Sequence, residues 1–196
     1  MLKHLYLNSR LFFILFIIGV LYILSFFFGG LMPFAHSFLA LLLLIFTVDA
    51  MLLFNQKKGV EAQRILPEKL SNGDENAIRI DLKNNYFFPL SVQVIDEIPF
   101  QFQVRDFMIH KRLPAGGSRM FEYKLTPKER GEYSFGALNI YASSILGLVA
   151  RRFSFQKDEK LPSYPSFIHL RKYELMAVQN EFLLGGIKKI RRLGHT

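Results

Sequence analysis

Asp49 is the first residue in this sequence to suggest chemistry. It is the single Asp, Glu, Lys or Arg between Leu11 and Phe54. A carboxylate inside a membrane-length apolar run is a functional candidate by default. Its position five residues before Phe54 favours a plainer reading, a charge near the end of the run within reach of water. Two carboxylate pairs follow, Asp96-Glu97 and Asp158-Glu159. Neighbours on a strand point to opposite faces, so neither pair forms a shared acid–base site unaided. Both read as solvated charges at loops or strand ends. The histidines His4, His36, His110, His169 and His195 show no metal-ligand spacing and no HExxH. His36 reads as a solvated turn residue. P-loop, GxGxxG and GxSxG patterns are absent from the sequence. In Arg130-Gly131-Glu132-Tyr133, Gly131 suits a turn and Tyr133 suits the edge plug called a tyrosine corner. The residues therefore predict a non-enzyme, with no catalytic, cofactor-binding or metal-ligating set.

The other chemistry on offer is positive charge. The net charge is +9, and from Ser166 onward six basic residues face two acidic ones. Lys188, Lys189, Arg191 and Arg192 alternate with apolar residues near the end. They read first as a solvated strand or linker and second as a grip on an anionic membrane surface. Nucleic acid is not expected as a partner, because stacking aromatics are not interleaved with the charges.

The elements that must position these residues begin with two apolar runs. Leu11–Phe28 has 18 residues, about 27 Å as a helix at about 1.5 Å per residue. That approaches a hydrocarbon core of about 30 Å. Gly29, Gly30 and Pro33 should end the helix, and a second run spans Ser37–Phe54. The first run is longer than a signal-peptide core and no cleavage site follows it. The expectation is a transmembrane α-helical hairpin over residues 1–56, in the lipid bilayer of a bacterial inner membrane, with its turn at Gly29–His36. Tyr6, Tyr22 and Phe26 to Phe28 are candidate interface anchors in a chain without Trp. Lys3 and Arg10 precede the first run, Lys57, Lys58 and Arg64 follow the second, and the turn carries no Lys or Arg. The positive-inside rule then predicts both ends in the cytoplasm. Cysteine is absent, which suits a reducing compartment.

After a juxtamembrane linker at Lys57–Leu66, the apolar period changes from helical to two. Ala77–Lys83, Leu90–Ile95, Ser118–Leu125, Glu132–Tyr141 and Leu148–Phe155 alternate in this way. Turn signals separate them, among them Ser71-Asn72-Gly73-Asp74, Gly116-Gly117 and Gly147. Seven or so short strands over residues 57–165 predict an all-β, Ig-like sandwich, with a Greek-key barrel as competitor. Pro162 and Pro165 should close it. Residues 166–196 read as a short helical linker followed by the basic tail.

Several stretches together resemble one bacterial family, the proteins carrying the domain of unknown function fifty-eight. They are Arg64 to Asn76, Phe88-Pro89-Leu90, Asp96-Glu97-Ile98-Pro99, Arg130-Gly131-Glu132-Tyr133 with Phe135-Gly136, Ser144 to Leu148, Tyr164-Pro165-Ser166, and Arg191 to Thr196. The resemblance implies a membrane-anchored Ig-like segment that precedes the named domain and its von Willebrand factor A-like region. It also implies an adaptor or chaperone-like role beside a MoxR-type AAA+ ATPase. The family's Gly-Asp-Asp motif does not occur in these 196 residues, and their one Glu-Phe pair, Glu181-Phe182, lies ahead of the closing Arg191 to Thr196 rather than after it. The resemblance thus implies the N-terminal half of such a protein, a fragment whose partner would be the family's own C-terminal domain.

Overall fold

The computed structural model describes residues 4–105 and 107–165. Lys3 and the tail containing Lys188, Lys189, Arg191 and Arg192 lie outside the described residues. A short strand, β1 (Leu5–Leu7), leads into helix α1 (Ser9–Phe27). A single turn of 3-10 helix at Gly29–Leu31 then reverses the chain into α2 (Met32–Phe54). Both helices are long and apolar enough to cross a membrane, and each is mostly exposed rather than buried in a protein core. Pro33 opens α2 instead of ending a helix. The reason is that a proline at the first helical positions gives up an N–H that has no intrahelical partner anyway. His36 consequently belongs to α2 and not to the turn, and its ring meets Tyr22 of α1 edge-on, with centroids 5.5 Å apart.

Ten further strands follow: β2 (Val60–Ile65), β3 (Leu70–Asn72), β4 (Asn76–Asn84), β5 (Leu90–Asp96), β6 (Met108–Leu113), β7 (Ser118–Leu125), β8 (Gly131–Phe135), β9 (Leu138–Ser143), β10 (Val149–Phe155) and β11 (Glu159–Pro165). They form a five-stranded sheet in the order β1-β10-β9-β5-β6 and two three-stranded sheets, β2-β4-β7 and β3-β11-β8. Alternation decides which faces meet. In β4 the inward set is Asn76, Ile78, Ile80, Leu82 and Asn84, and in β5 it is Leu90, Val92, Val94 and Asp96. One core cluster joins Val60, Ile80 and Leu82 to Leu90, Val92, Val94, Ile140 and Val149, so two sheets face each other across it. Leu11, Ile18, Leu42 and Leu53 of the helices belong to the same cluster. A second cluster, Leu70, Ile78, Leu125, Tyr133, Phe135 and Leu161, contains no helical residue.

Helices plus an all-β sandwich agree with the expected fold class, and three elements differ from their sequence reading. The stretch Lys57–Leu66 is not a linker throughout, because Val60, Ala62 and Arg64 turn inward and pair with β4 as strand β2. Glu132–Tyr141 is two strands in different sheets, β8 against β11 and β9 between β5 and β10. The break falls at Gly136, where a side chain would collide with Glu97. Backbone bonds fix the crossing, from Gly136 N–H to the Glu97 carbonyl (2.9 Å) and from Glu97 N–H to the Ala137 carbonyl (3.2 Å). Lastly, Leu5–Leu7 is an edge strand of the sandwich, paired antiparallel with Val149–Arg151. The chain therefore enters the first helix from the sandwich and returns to it from the second.

Candidate functional site

The structure concentrates its unusual side chains where the hairpin meets the sandwich. Asp49, in the penultimate turn of α2, is fully buried. Its Oδ2 accepts hydrogen bonds from the backbone N–H of Leu148 (2.9 Å) and Val149 (3.0 Å), and its Oδ1 accepts from the Ser144 hydroxyl. The solvated reading of Asp49 is thus corrected. Water near the end of the helix is replaced by the loop between β9 and β10, which offers donors that would otherwise lack partners. Ser144 also accepts from Leu146 N–H at 3.1 Å, which holds the loop in shape. Gly147 has φ +66°, a conformation glycine adopts without a Cβ penalty.

The end of α2 is joined to the sandwich a second time. The last carbonyls of a helix have no intrahelical donors. Here Arg151 Nη1 donates to the carbonyls of Leu53 (2.7 Å) and Gln56 (2.6 Å), and Tyr86 donates its hydroxyl to Leu53 (2.5 Å). A cation at this end also complements the negative pole of the helix dipole. The Arg151 guanidinium lies between the rings of Phe54 (5.0 Å) and Phe153 (4.6 Å). Burial pushes the Tyr86 hydroxyl above its ordinary range, so it stays protonated as a donor. The other end of the hairpin is tied by Asn8, whose N–H bonds the Leu148 carbonyl at 3.0 Å while its Nδ2 donates to Ser143 Oγ and the Gly147 carbonyl, both at 3.0 Å.

A second polar cluster lies inside the sandwich around Arg64, which is buried in β2. Its Nη1 pairs with Asp96 at 2.5 Å and its Nη2 with Glu159 at 2.9 Å. Nη2 also donates to the carbonyls of Gly136 and Gln156, both at 3.1 Å. Tyr123 donates to the other Asp96 oxygen at 2.5 Å. Gln156, at φ 39°, donates to the Arg64 carbonyl at 2.9 Å and accepts from the Arg64 N–H. One arginine thereby ties the ends of β2, β5 and β11 together, with β7 joined through Tyr123. Burial raises the Asp96 carboxyl above its usual range against the pull of Arg64 and Tyr123. Burial, followed by the charge of Asp96, raises the Tyr123 hydroxyl strongly, so it remains a donor.

Asp96, Glu97 and Glu159 are therefore not simply solvated charges, whereas Asp158 is exposed in the loop before β11. Asp96 continues the inward alternation of β5 and needs a buried partner. Glu97 accepts from the Ala137 N–H (2.9 Å) and Asn139 Nδ2 (2.7 Å), bracing the sheet change at Gly136. Glu159 serves Arg64. Tyr133 is buried and donates to the Glu129 carbonyl at 2.9 Å, the geometry of a tyrosine corner. Among the described residues no three His, Asp or Glu side chains are grouped to hold a metal ion. Of the basic residues expected to set topology, Arg10 and the carbonyls of Lys57 and Lys58 lie at this junction, whereas Arg64 is buried in the sandwich. Lys57 accepts from Arg151 Nη2 at 3.4 Å and Lys58 from Asn85 Nδ2 at 3.0 Å. Sequence reading missed Arg151, Tyr86 and Tyr123. A signal existed for Arg64 and Asp96, which fall on inward positions of alternating strands. None existed for Arg151, whose partner carbonyls belong to a distant helix.

No family model matches the chain, and no curated protein matches it. Solved structures similar to it include the PapD-like domain 7 of human CEP192, at 14% identity over 56% of this chain and 87% of that one, with a TM-score of 0.41. A PKD domain of an M14-like peptidase from a Thermoplasmatales archaeon is 10% identical over 52% of this chain and 91% of its own, at 0.32. A β-glucosidase from Listeria innocua is 14% identical over 55% of this chain but only 16% of its own length, at 0.30. At these scores the likenesses carry no argument about function.

Proposed function

We propose that this chain is a membrane-anchored, non-enzymatic interaction module, a rigid platform that holds a partner at the cytoplasmic face of a bacterial inner membrane. The observation that carries the reading is the double attachment of hairpin to sandwich. Asp49, Arg151 and Tyr86 fasten the end of α2, and β1 fastens the start of α1. A flexible tether would let a domain wander; two attachments fix its height and orientation above the bilayer. In support, four of the five carboxylates that the sequence offered for acid–base work, Asp49, Asp96, Glu97 and Glu159, are engaged by donors that build the fold, and the fifth, Asp158, is exposed. Among the described residues the sandwich also leaves β6 as an open sheet edge. An unpaired edge is a template for strand addition, and exposed apolar side chains at Phe100, Val104 and Met108 precede or begin it.

The resemblance supplies the candidate partners. These are a MoxR-type ATPase and the named C-terminal domain with its von Willebrand factor A-like region, which in the family follows this segment. Strand β11 ends at Pro165, in the sheet whose core cluster contains no helical residue. The test is co-purification of the detergent-extracted chain with the MoxR-type ATPase of its own bacterium. The expected result is recovery of the ATPase with the wild type and a loss of about tenfold or more, on the order of 1.4 kcal/mol, with Met108→Glu combined with Lys111→Glu. Absence of the ATPase from wild-type eluates would remove it as partner, and equal recovery by the variant would remove β6 as the docking edge.

A further inference from the structure

We infer that the junction carries a binding site for the phosphate of an anionic phospholipid, formed by Arg10 and Arg112 on the sandwich side of the membrane. The inference rests on the membrane reading above and goes beyond it by naming a ligand class and its residues. Two adjoining clefts open beside the start of α1, of about 440 and 330 Å³. They share Arg10, Ser91 and Ser144. The smaller adds Arg112 and the larger adds His110 and Tyr141. Among the described residues no Asp or Glu lines either cleft. Neither Arg10 nor Arg112 has an ion pair among the described residues, whereas Arg64 and Arg79 both do. Asp49, the nearest carboxylate through Ser144, is sealed from solvent and occupied by its three donors. The cleft thus offers two guanidinium groups and several hydroxyls with no internal anion. That set matches a phosphate oxygen cluster, since arginine presents a planar fork of donors to such groups.

The position of the clefts selects a lipid over a free anion. Arg10 immediately precedes the apolar run of α1. Ile145, which lines the smaller cleft, is 67% exposed, and the next residue, Leu146, lines the apolar groove between α1 and α2 with Ile14, Ile18, Leu42 and Ile45. The loop therefore reaches from the charged cleft to helical surface that faces acyl chains. A phosphate held by Arg10 and Arg112 would have its glycerol and chains beside Ile145 and Leu146. Gly147 keeps this arrangement open: a Cβ there would lie 3.0 Å from Arg10 Nη1.

The test uses the full chain, purified in detergent, with native mass spectrometry after exposure to equal amounts of phosphatidylglycerol and phosphatidylcholine. Wild type should retain phosphatidylglycerol preferentially. Arg10→Gln and Arg112→Gln should each reduce that preference about fivefold, the scale expected for one basic residue at an anionic surface. Arg79→Gln, at a paired and exposed position of β4, should leave it unchanged. Thermal melting in the same detergent confirms that each variant is folded, so lost binding is not lost structure. Equal retention of the two lipids by wild type overturns the inference, as does a preference that survives the double variant. Inorganic phosphate that displaces phosphatidylglycerol at millimolar concentration would assign the site to a free anion instead. Carbonate extraction of native membranes separates the two proposals: a chain that stays in the pellet yet shows no lipid preference fails here alone, and a chain released without detergent fails as a membrane protein.

Discussion

At the residue scale, the cost of losing Asp49 follows from what it accepts. Leu148 and Val149 direct buried N–H groups at one carboxylate oxygen and Ser144 directs its hydroxyl at the other. Removing the acceptor leaves those donors without partners, at about 1–3 kcal/mol for each buried group. Asp49→Ala should therefore destabilise the full chain in detergent by about 2–5 kcal/mol. Asp49→Asn retains one acceptor oxygen and should cost less. The measurement is amide hydrogen exchange alongside melting. Faster exchange at Leu148 and Val149 in both variants, larger in Asp49→Ala, is expected, and unchanged protection would show that the loop is held by something else. The sequence marked Asp49 as unusual by its apolar setting but could not show its use. The donors lie about a hundred residues later, and no local pattern links a helical carboxylate to a loop between strands.

At the element scale, the alternating strands were legible because burial of one face writes itself as period two. Ile78, Ile80 and Leu82 in β4 and Leu90, Val92 and Val94 in β5 are fully or nearly fully buried. What escaped was short, polar or continuous. β1 has three residues, β2 ends its inward face with a charged Arg64, and β8 and β9 run together with only Gly136 and Ala137 between them. The inward apolar set shifts phase across that gap, from Tyr133 and Phe135 to Leu138, Ile140 and Ala142, and reading Glu132–Tyr141 as one strand passes over the shift. Glycine at 136 was a second available signal, and it sat within the stretches that carried the family resemblance. So did Arg64, Asp96, Glu97, Tyr133, Ser144 and Gly147, each of which holds a sheet end, a sheet change or a loop in place. The role of Gly136 makes a prediction for the element. A methyl there meets the Cβ and carboxylate of Glu97, and overpacking of this kind costs about 1–3 kcal/mol. Gly136→Ala should lower the melting temperature and disturb the Glu97–Ala137 and Glu97–Asn139 bonds, seen as shifted amide resonances at Ala137. Adding Glu97→Ala to it should be less than additive, because the second change removes the carboxylate from the methyl's path and leaves only the Cβ contact. Full additivity would mean that Gly136 is required for another reason.

At the scale of the whole molecule, the pairing of β1 with β10 constrains how the chain can sit in a bilayer. The residues before α1 and those after α2 belong to one sandwich, so on the proposed membrane reading the two helices would cross as a pair, with their turn at Gly29–Leu31 on the opposite side. That much is fixed by strand register, whichever way the pair points. The direction rests on charge: Arg10, Lys57 and Lys58 flank the helices on the sandwich side, and no Lys or Arg lies between Leu11 and Phe54. On the proposed membrane reading, the positive-inside rule predicts that the sandwich faces the cytoplasm. The natural absence of cysteine makes the test clean, since any introduced thiol is the only one. His4→Cys and Lys128→Cys place it in exposed sandwich-side positions, and Gly30→Cys places it in the turn, where a Cβ meets nothing within 4 Å. A membrane-impermeant maleimide applied to intact spheroplasts should label Gly30→Cys alone, and inverted vesicles should label His4→Cys and Lys128→Cys alone. The reverse pattern would keep the fold and overturn the orientation. Labelling of His4→Cys and Lys128→Cys from opposite sides would be incompatible with β1 in the sheet, and with it the platform on which the proposed function depends.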